Sequence, residues 1–107
     1  MALIDKKCIP CEGGVLPLTI PQANALQSEL DGWTLSPDAK MISKKYTFKD
    51  FAEALSFANT VGAIAEDENH HPDMEIGWGK VTIKFATHSI GGLSENDFIL
   101  AAKIDKK

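Results

Sequence analysis

The sequence predicts one α+β domain, in which an antiparallel four-stranded sheet carries three helices on one face. Apolar residues recur at three- and four-residue spacing in the middle of the chain, which indicates an amphipathic helix. They alternate with polar residues in the segment that follows, which indicates strands. With a helix and two strands expected before these segments and a helix after them, the order is α-β-β-α-β-β-α. The 107 residues suffice for one such domain (1–107) and are too few for two.

The first three elements follow an N-terminal arm, residues 1–18. They are expected as a helix over residues 21–30 and strands over residues 33–35 and 41–48. Thr19 suits the N-cap of the helix, and Pro21 is tolerated in a first helical turn. Ser36-Pro37-Asp38 is a turn signal that separates the two strands.

The strongest helix is expected over residues 49–68. Its apolar residues form one stripe: Phe51, Ala54, Leu55, Ala58, Val61, Ile64 and Ala65. Pro72 prevents the helix from continuing and disfavours the helical conformation for His71. His70 and His71 therefore lie where the long helix gives way to a strand.

A β-hairpin is expected over residues 73–86, and its register can be derived. The alternating apolar residues are Met74, Ile76 and Trp78 in the first strand and Val81, Ile83 and Phe85 in the second. The two sets share a face only if the numbers of paired residues add up to an odd value. A two-residue turn at Trp78-Gly79 meets this condition and places glycine where a positive φ is needed. It also sets Asp73 opposite Lys84, an attractive pair of charges.

The same register makes a prediction about the histidines. Extended one step beyond Pro72, it places His71 opposite Ala86 and diagonal to His88, with the two histidine Cβ atoms within roughly 8 Å. His70 is then expected to point elsewhere, unless the backbone twists at the end of the helix.

The last helix is expected from about Ser94, after the glycine loop Gly91-Gly92. Ser94 and Asp97 have the spacing of a capping box, and Leu93 suits the hydrophobic contact that often accompanies one.

The amino-acid composition limits the classes of partner that the protein is expected to bind. The chain is 44% hydrophobic and 24% charged, as an ordinary soluble protein is, and its net charge is −4. All eleven basic residues are lysines, and the absence of arginine counts against nucleic acid as the main partner. No apolar run approaches the roughly 18 residues of a membrane span. The start has no secretory signal, and we expect a cytoplasmic location.

The two cysteines, Cys8 and Cys11, form a Cys-x-x-Cys pair. Such a pair can be a redox dithiol or half of a zinc site. No second cysteine pair exists, and the motif lies in a short N-terminal segment ahead of Glu12-Gly13-Gly14. We expect reduced thiols that pack locally or tether the N-terminal arm.

All three histidines of the chain, His70, His71 and His88, fall in one neighbourhood. They could bind a metal such as zinc, or they could complement the carbonyl end of the helix. Imidazole also titrates near neutral pH and can donate or accept a proton. The chain lacks a recognisable Ser-His-carboxylate set, phosphate loop and dinucleotide fingerprint. Proton transfer without a cofactor and without a metal is therefore the favoured chemistry.

At these residues the sequence closely resembles the pterin-4a-carbinolamine dehydratase family over nearly its whole length. The resemblance rests on these motifs: Glu66-Asp67-Glu68-Asn69-His70-His71-Pro72, Lys80-Val81, Thr87-His88 and Gly92-Leu93-Ser94-Glu95-Asn96-Asp97. The segment from Cys8 to Gly14 is similar to that of many bacterial members.

The resemblance implies the loss of water from 4a-hydroxytetrahydropterin to give quinonoid dihydropterin. It implies that His70, His71 and His88 are the active-site histidines. We expect His70 and His88 to transfer protons and His71 to bind and orient the substrate hydroxyl. A pterin substrate, a homodimer or homotetramer, and a functional link to phenylalanine hydroxylase are implied as well.

The resemblance also indicates residues that line the pterin pocket. The expected set is Glu66, Pro72, Met74, Ala86, Thr87 and Asp97. Met74 stands where other members have an aromatic residue, and Ala86 where some have serine. Glu66 and Asp97 match family pocket acids, which could orient imidazoles or bind the pterin; they could also be a solvated helix charge and, for Asp97, a helix cap. Two other functions stay open: a dimerisation module for a regulatory partner, as in animal members, and a histidine-based metal-binding protein.

Overall fold

The chain forms three α-helices and four β-strands in the predicted order, in a computed structural model that describes residues 3–6, 8 and 16–106. The helices are α1 (Ile20–Gln27), α2 (Phe51–Glu68) and α3 (Glu95–Asp105). The strands are β1 (Thr34–Leu35), β2 (Ile42–Thr47), β3 (Asp73–Gly77) and β4 (Lys80–Phe85). Two short 3-10 turns lie at Leu3–Asp5 and His88–Ile90.

Capping side chains set the starts of the helices. Thr19 caps α1, as predicted. The Asp50 side chain accepts a hydrogen bond from the Glu53 N–H at 2.8 Å, so α2 begins directly after Asp50, later than expected. The first helix ends at Gln27, earlier than expected, because the next turn is closed by tighter i to i+3 hydrogen bonds.

The sheet is antiparallel, with the strands in the order β1-β2-β4-β3. Asp73 pairs with Lys84 and Gly77 with Lys80, which is the predicted register of the hairpin. Trp78 and Gly79 form its two-residue turn, and Gly79 has a φ of 73°. Since an L side chain rarely adopts this conformation, the glycine fixes the turn and the turn fixes the register.

The core lies between the sheet and the helices. Val81, Ile83 and Phe85 on one face of β4 are fully buried. Apolar side chains of two helices pack against this face of β4: Ala54, Ala58 and Val61 from α2, and Phe98, Leu100 and Ile104 from α3. Trp78 does not join this face, since it lies in the hairpin turn with 72% of its surface exposed. No helix in the described part of the chain is both long enough and apolar enough to cross a membrane.

Asp105 anchors the C-terminal end of α3 to the sheet. Its carboxylate accepts hydrogen bonds from the Trp33 indole N–H at 2.9 Å, the Tyr46 hydroxyl at 2.5 Å and the Lys44 ammonium at 3.0 Å. The Lys44 ammonium also lies 4.8 Å from the centre of the Tyr46 ring. These contacts fix one end of α3, and the histidine site lies at the other.

Candidate active site

His70 is held inward by the end of α2. Asn69 adopts the left-handed conformation with a φ of 53°, which ends the helix. The His70 N–H then bonds to the Ala65 carbonyl at 3.2 Å. The imidazole stacks on Phe85, with ring centres 6.0 Å apart and an angle of 9° between the planes. Only 13% of the His70 side chain is exposed, and its ring is held by the stack on Phe85.

Asp97 is the partner of His70. Its Oδ1 lies 2.7 Å from Nε2 of His70, and the aspartate is fully buried. Its Oδ2 accepts hydrogen bonds from the Thr87 hydroxyl at 2.8 Å and from the Ser94 N–H at 2.9 Å. The Ser94 hydroxyl lies 2.8 Å from Oγ1 of Thr87, whose own proton goes to the carboxylate, so Ser94 donates to Thr87. These donors and the positive end of α3 stabilise the negative charge of the buried carboxylate.

The bond to Asp97 also decides which nitrogen of His70 is free. A carboxylate accepts hydrogen bonds, so Nε2 of His70 carries the proton that it donates to Asp97. In the neutral ring, Nδ1 is then the basic nitrogen. The arrangement leaves His70 as a rigid imidazole with an acceptor on the side away from Asp97.

The other two histidines are exposed and contact different carboxylates. Nε2 of His71 is hydrogen-bonded to Glu66, which lies in the last turns of α2. His88 begins the 3-10 turn after β4, and its Nε2 lies 3.9 Å from a carboxylate oxygen of Asp73. The side chain of His88 is 84% exposed and that of His71 is 53% exposed. Each histidine thus has a carboxylate of its own.

The predicted register of the hairpin is confirmed, but its extension by one step, which paired His71 with Ala86, is wrong. β3 begins at Asp73, so the ladder does not reach His71 or pair it with Ala86. Pro72 has no N–H to donate, which explains why pairing stops there. The left-handed turn at Asn69 supplies a backbone twist at the end of the helix, and the His70 side chain contacts Phe85 and Asp97.

The remaining predicted pocket residues differ in their surroundings. Met74 pairs with Ile83 on the face of the sheet that the helices cover, and it packs against the core. Thr87 is buried, and its hydroxyl serves Asp97. Pro72 and Ala86 are half-buried beside the histidines in the sequence. Glu66 is exposed and faces His71, whereas Asp97 both completes the capping box of α3 and is the partner of His70.

Sequence reasoning missed two contributors to the site. Phe85 was expected only as a core residue, yet it supplies the ring on which His70 stacks. Ser94 was expected only as a helix cap, yet its hydroxyl supports Thr87. The capping-box spacing of Ser94 and Asp97 was a usable signal, but it gave no indication that the free carboxylate oxygen would face a histidine.

Of the two cysteines, Cys8 lies among the described residues. Cys8 is a free thiol whose Sγ lies 3.8 Å from the Asn96 carbonyl oxygen, in keeping with local packing. Cys11 lies outside the described residues. Within residues 3–6, 8 and 16–106, no three His, Cys, Asp or Glu side chains are grouped so that they could hold a metal ion.

The fold and the site together define an α+β protein whose three histidines are each paired with a carboxylate. Comparison with known proteins agrees with this class. Residues 17–107 match the family model described as pterin 4 alpha carbinolamine dehydratase. The chain belongs to this family.

Curated relatives match almost the whole chain. A protein of Halorhodospira halophila, provisionally named a pterin-4-alpha-carbinolamine dehydratase, is 49% identical over 98% of this chain and 96% of its own. A protein of Rickettsia bellii with the same provisional name is 51% identical over 97% of this chain and 92% of its own.

Two solved structures share the fold. The crystal structure of a transcriptional coactivator/pterin dehydratase from Brucella melitensis is 32% identical, with a TM-score of 0.78, and the match covers 84% of this chain and 96% of that one. A pterin dehydratase-like protein identified as a RuBisCO assembly factor in the alpha-carboxysome is 22% identical, with a TM-score of 0.60 over 71% of this chain and 88% of that one. The second likeness concerns the fold alone.

Proposed function

We propose that this protein catalyses the dehydration of 4a-hydroxytetrahydropterin to quinonoid dihydropterin. In this reaction the bond between C4a and the hydroxyl oxygen breaks, N5 loses its proton, and the hydroxyl leaves as water. The reaction needs a group that accepts a proton and a group that donates one. The observation that carries the proposal is the buried pair of His70 and Asp97, which presents a fixed imidazole base.

His70 is the proposed base for the N5 proton. Its Nε2–H is bonded to Asp97, so Nδ1 is the nitrogen that accepts a proton. When Nδ1 takes the proton, the ring becomes positively charged, and the buried carboxylate stabilises that charge. Stacking on Phe85 keeps the ring from turning, which lowers the cost of reaching the reactive geometry.

His88 is the proposed acid, and His71 the proposed binding group. Nε2 of His88 lies 3.9 Å from the carboxylate of Asp73, and His88 would pass a proton to the departing hydroxyl. His71 is paired with Glu66 at the end of α2 and would bind and orient the substrate hydroxyl. Both side chains are exposed, so a substrate can reach them.

The test is the rate of dehydration above the spontaneous rate, measured at neutral pH with purified protein that has been treated with a chelator. We expect acceleration without added metal. His70→Ala and His88→Ala should lower kcat, whereas His71→Ala should mainly raise KM. Absence of acceleration would overturn the proposal, and activity that returned only with zinc would favour the metal-binding function instead.

Three further properties stay predictions. We expect the product to serve the recycling of the pterin used by aromatic amino-acid hydroxylases, phenylalanine hydroxylase above all. We also expect a homodimer or homotetramer and a cytoplasmic location. Sedimentation of the purified chain would test the oligomeric state.

A further inference from the structure

A second ion pair joins the end of α2 to α3, beside the pair of His70 and Asp97. Oε2 of Glu68 lies 2.7 Å from the ammonium of Lys103. Only 4% of the Glu68 side chain and 19% of the Lys103 side chain are exposed. Charges are rarely withdrawn from water to this extent unless they are paired, so the contact fixes the two helices against each other at this point.

The two pairs contact α3 at different points along its axis. Glu68 is the last residue of α2, and only Asn69 separates it from His70. Lys103 follows Asp97 by six residues on α3, about 9 Å along the helix axis. Two contacts this far apart prevent the end of α2 from pivoting about either of them. One contact alone would leave that rotation open.

The N-terminal arm closes over the same pair. The Cys8 N–H donates a hydrogen bond to Oε1 of Glu68 at 2.9 Å. The turn Leu3–Asp5 packs on α3, and Leu3 is buried. Both carboxylate oxygens of Glu68 are therefore engaged, one by the arm and one by α3. The arm is thus linked to the segment that carries His70.

We infer that Glu68 and Lys103 are positioning residues for His70: their ion pair sets the direction in which Nδ1 of His70 faces the substrate. The inference rests on the proposed function for its effect on rate. Its effect on the geometry of His70 is independent of which reaction is catalysed. Neither Glu68 nor Lys103 is needed to touch the substrate.

The test replaces the pair by two apolar residues, in the double variant Glu68→Leu, Lys103→Met. Apolar replacement of a buried ion pair commonly preserves folding, because no unpaired charge stays behind. The readouts are kcat, KM and the ring N–H proton of His70 that is bonded to Asp97, observed by NMR. Lys6→Met is the matched control, since it removes an ion pair of 2.8 Å between the same arm and α3 that is more exposed, at 32% and 48%.

We expect the double variant to keep its KM within a few-fold while kcat falls about ten- to hundredfold, the scale of a displacement of about 1 Å in a reacting group. The His70 ring proton should broaden or exchange faster. Lys6→Met should change neither readout, and Lys103→Arg should retain the parent kcat. A double variant with the parent kcat and the parent ring signal would overturn the inference.

Two outcomes need separate treatment. If the double variant does not fold, Glu68→Gln takes its place, since it keeps the size of the side chain but removes the charge. A Glu68→Gln variant with the parent kcat and the parent signal of the His70 ring proton would then overturn the inference. If the parent protein does not accelerate dehydration, the proposed function fails. The ring signal still decides whether Glu68 and Lys103 position His70.

Discussion

Asp97→Asn changes the central pair of the site with little change in shape. Oδ2 of Asp97 accepts two hydrogen bonds, from Thr87 and Ser94, and both donors require an oxygen at that position. The amide NH2 of the asparagine must therefore take the place of Oδ1 and face His70. An amide NH2 donates, so Nε2 of His70 has to accept, and the ring proton moves to Nδ1. The nitrogen proposed as the base then no longer has a free lone pair.

The size of the effect follows from this change of tautomer. A positioned general base contributes about 10²- to 10⁴-fold to a rate, so kcat should fall by that factor. KM should change little, because Asp97 is fully buried behind His70. The helix start keeps its hydrogen bond from Ser94 and loses only the charge, which costs about 0.3–1 kcal/mol of the free energy of unfolding.

The assay combines steady-state dehydration kinetics with nitrogen NMR of the imidazole rings, which distinguishes the two tautomers. Asp50→Asn is the matched control, because the Asp50 side chain also accepts a backbone N–H at the start of a helix, and Asp50 lies at the other end of α2 from His70. It should leave kcat and all ring signals unchanged. The reasoning would be refuted if Asp97→Asn inverted the His70 tautomer and left kcat as it was.

Three further predictions concern groups outside the histidine site. Asp105→Asn replaces one of the two carboxylate oxygens by an NH2 group. Either the Trp33 indole N–H, or the Tyr46 hydroxyl together with the Lys44 ammonium, then loses its acceptor. The free energy of unfolding should fall by about 1–3 kcal/mol in denaturant titrations, whereas the same change at the exposed Asp38 should have little effect. Burial and the hydrogen bond to Asp105 raise the pKa of Tyr46 above its ordinary value of 10.0. The unfolded chain therefore loses this proton first as the pH rises, and the free energy of unfolding should decrease above about pH 10, with a shallower slope in Tyr46→Phe. Burial, followed by a nearby carboxylate, raises the pKa of the Cys8 thiol from 9.0 to about 12. Iodoacetamide at pH 8 should therefore modify Cys8 about a thousandfold more slowly than in the denatured chain, as followed by mass spectrometry with the other cysteine replaced; equal rates would contradict the burial.

The fold was predictable because its signals are local. The spacing of apolar residues in α2, the capping side chains and the two-residue turn at Trp78-Gly79 each act over a few residues. The order of the elements and the hairpin register follow from them. The bounds of α1 were less accurate, since the competition between an α-helical and a tighter turn after Gln27 is decided by small energies.

The sequence motifs indicate candidate site residues but do not specify which carboxylate each imidazole contacts. The motifs indicated His70, His71 and His88, and the register argument expected His71 and His88 to converge. The structure gives each histidine a separate carboxylate. The contact between His70 and Asp97 joins residues 27 positions apart in the sequence and depends on how α2 packs on α3. Sequence periodicity carries no information about such a packing contact.

The most direct test of the central claim compares the parent protein with His70→Ala in the dehydration of 4a-hydroxytetrahydropterin, with and without added imidazole. The claim is that a buried, carboxylate-bound imidazole at residue 70 transfers the proton. The parent should exceed the spontaneous rate of dehydration. In His70→Ala, kcat should fall about 10²- to 10⁴-fold. Added imidazole, bound in the vacated space on Phe85, should restore part of it. A His70→Ala variant that turns over as fast as the parent would contradict the account.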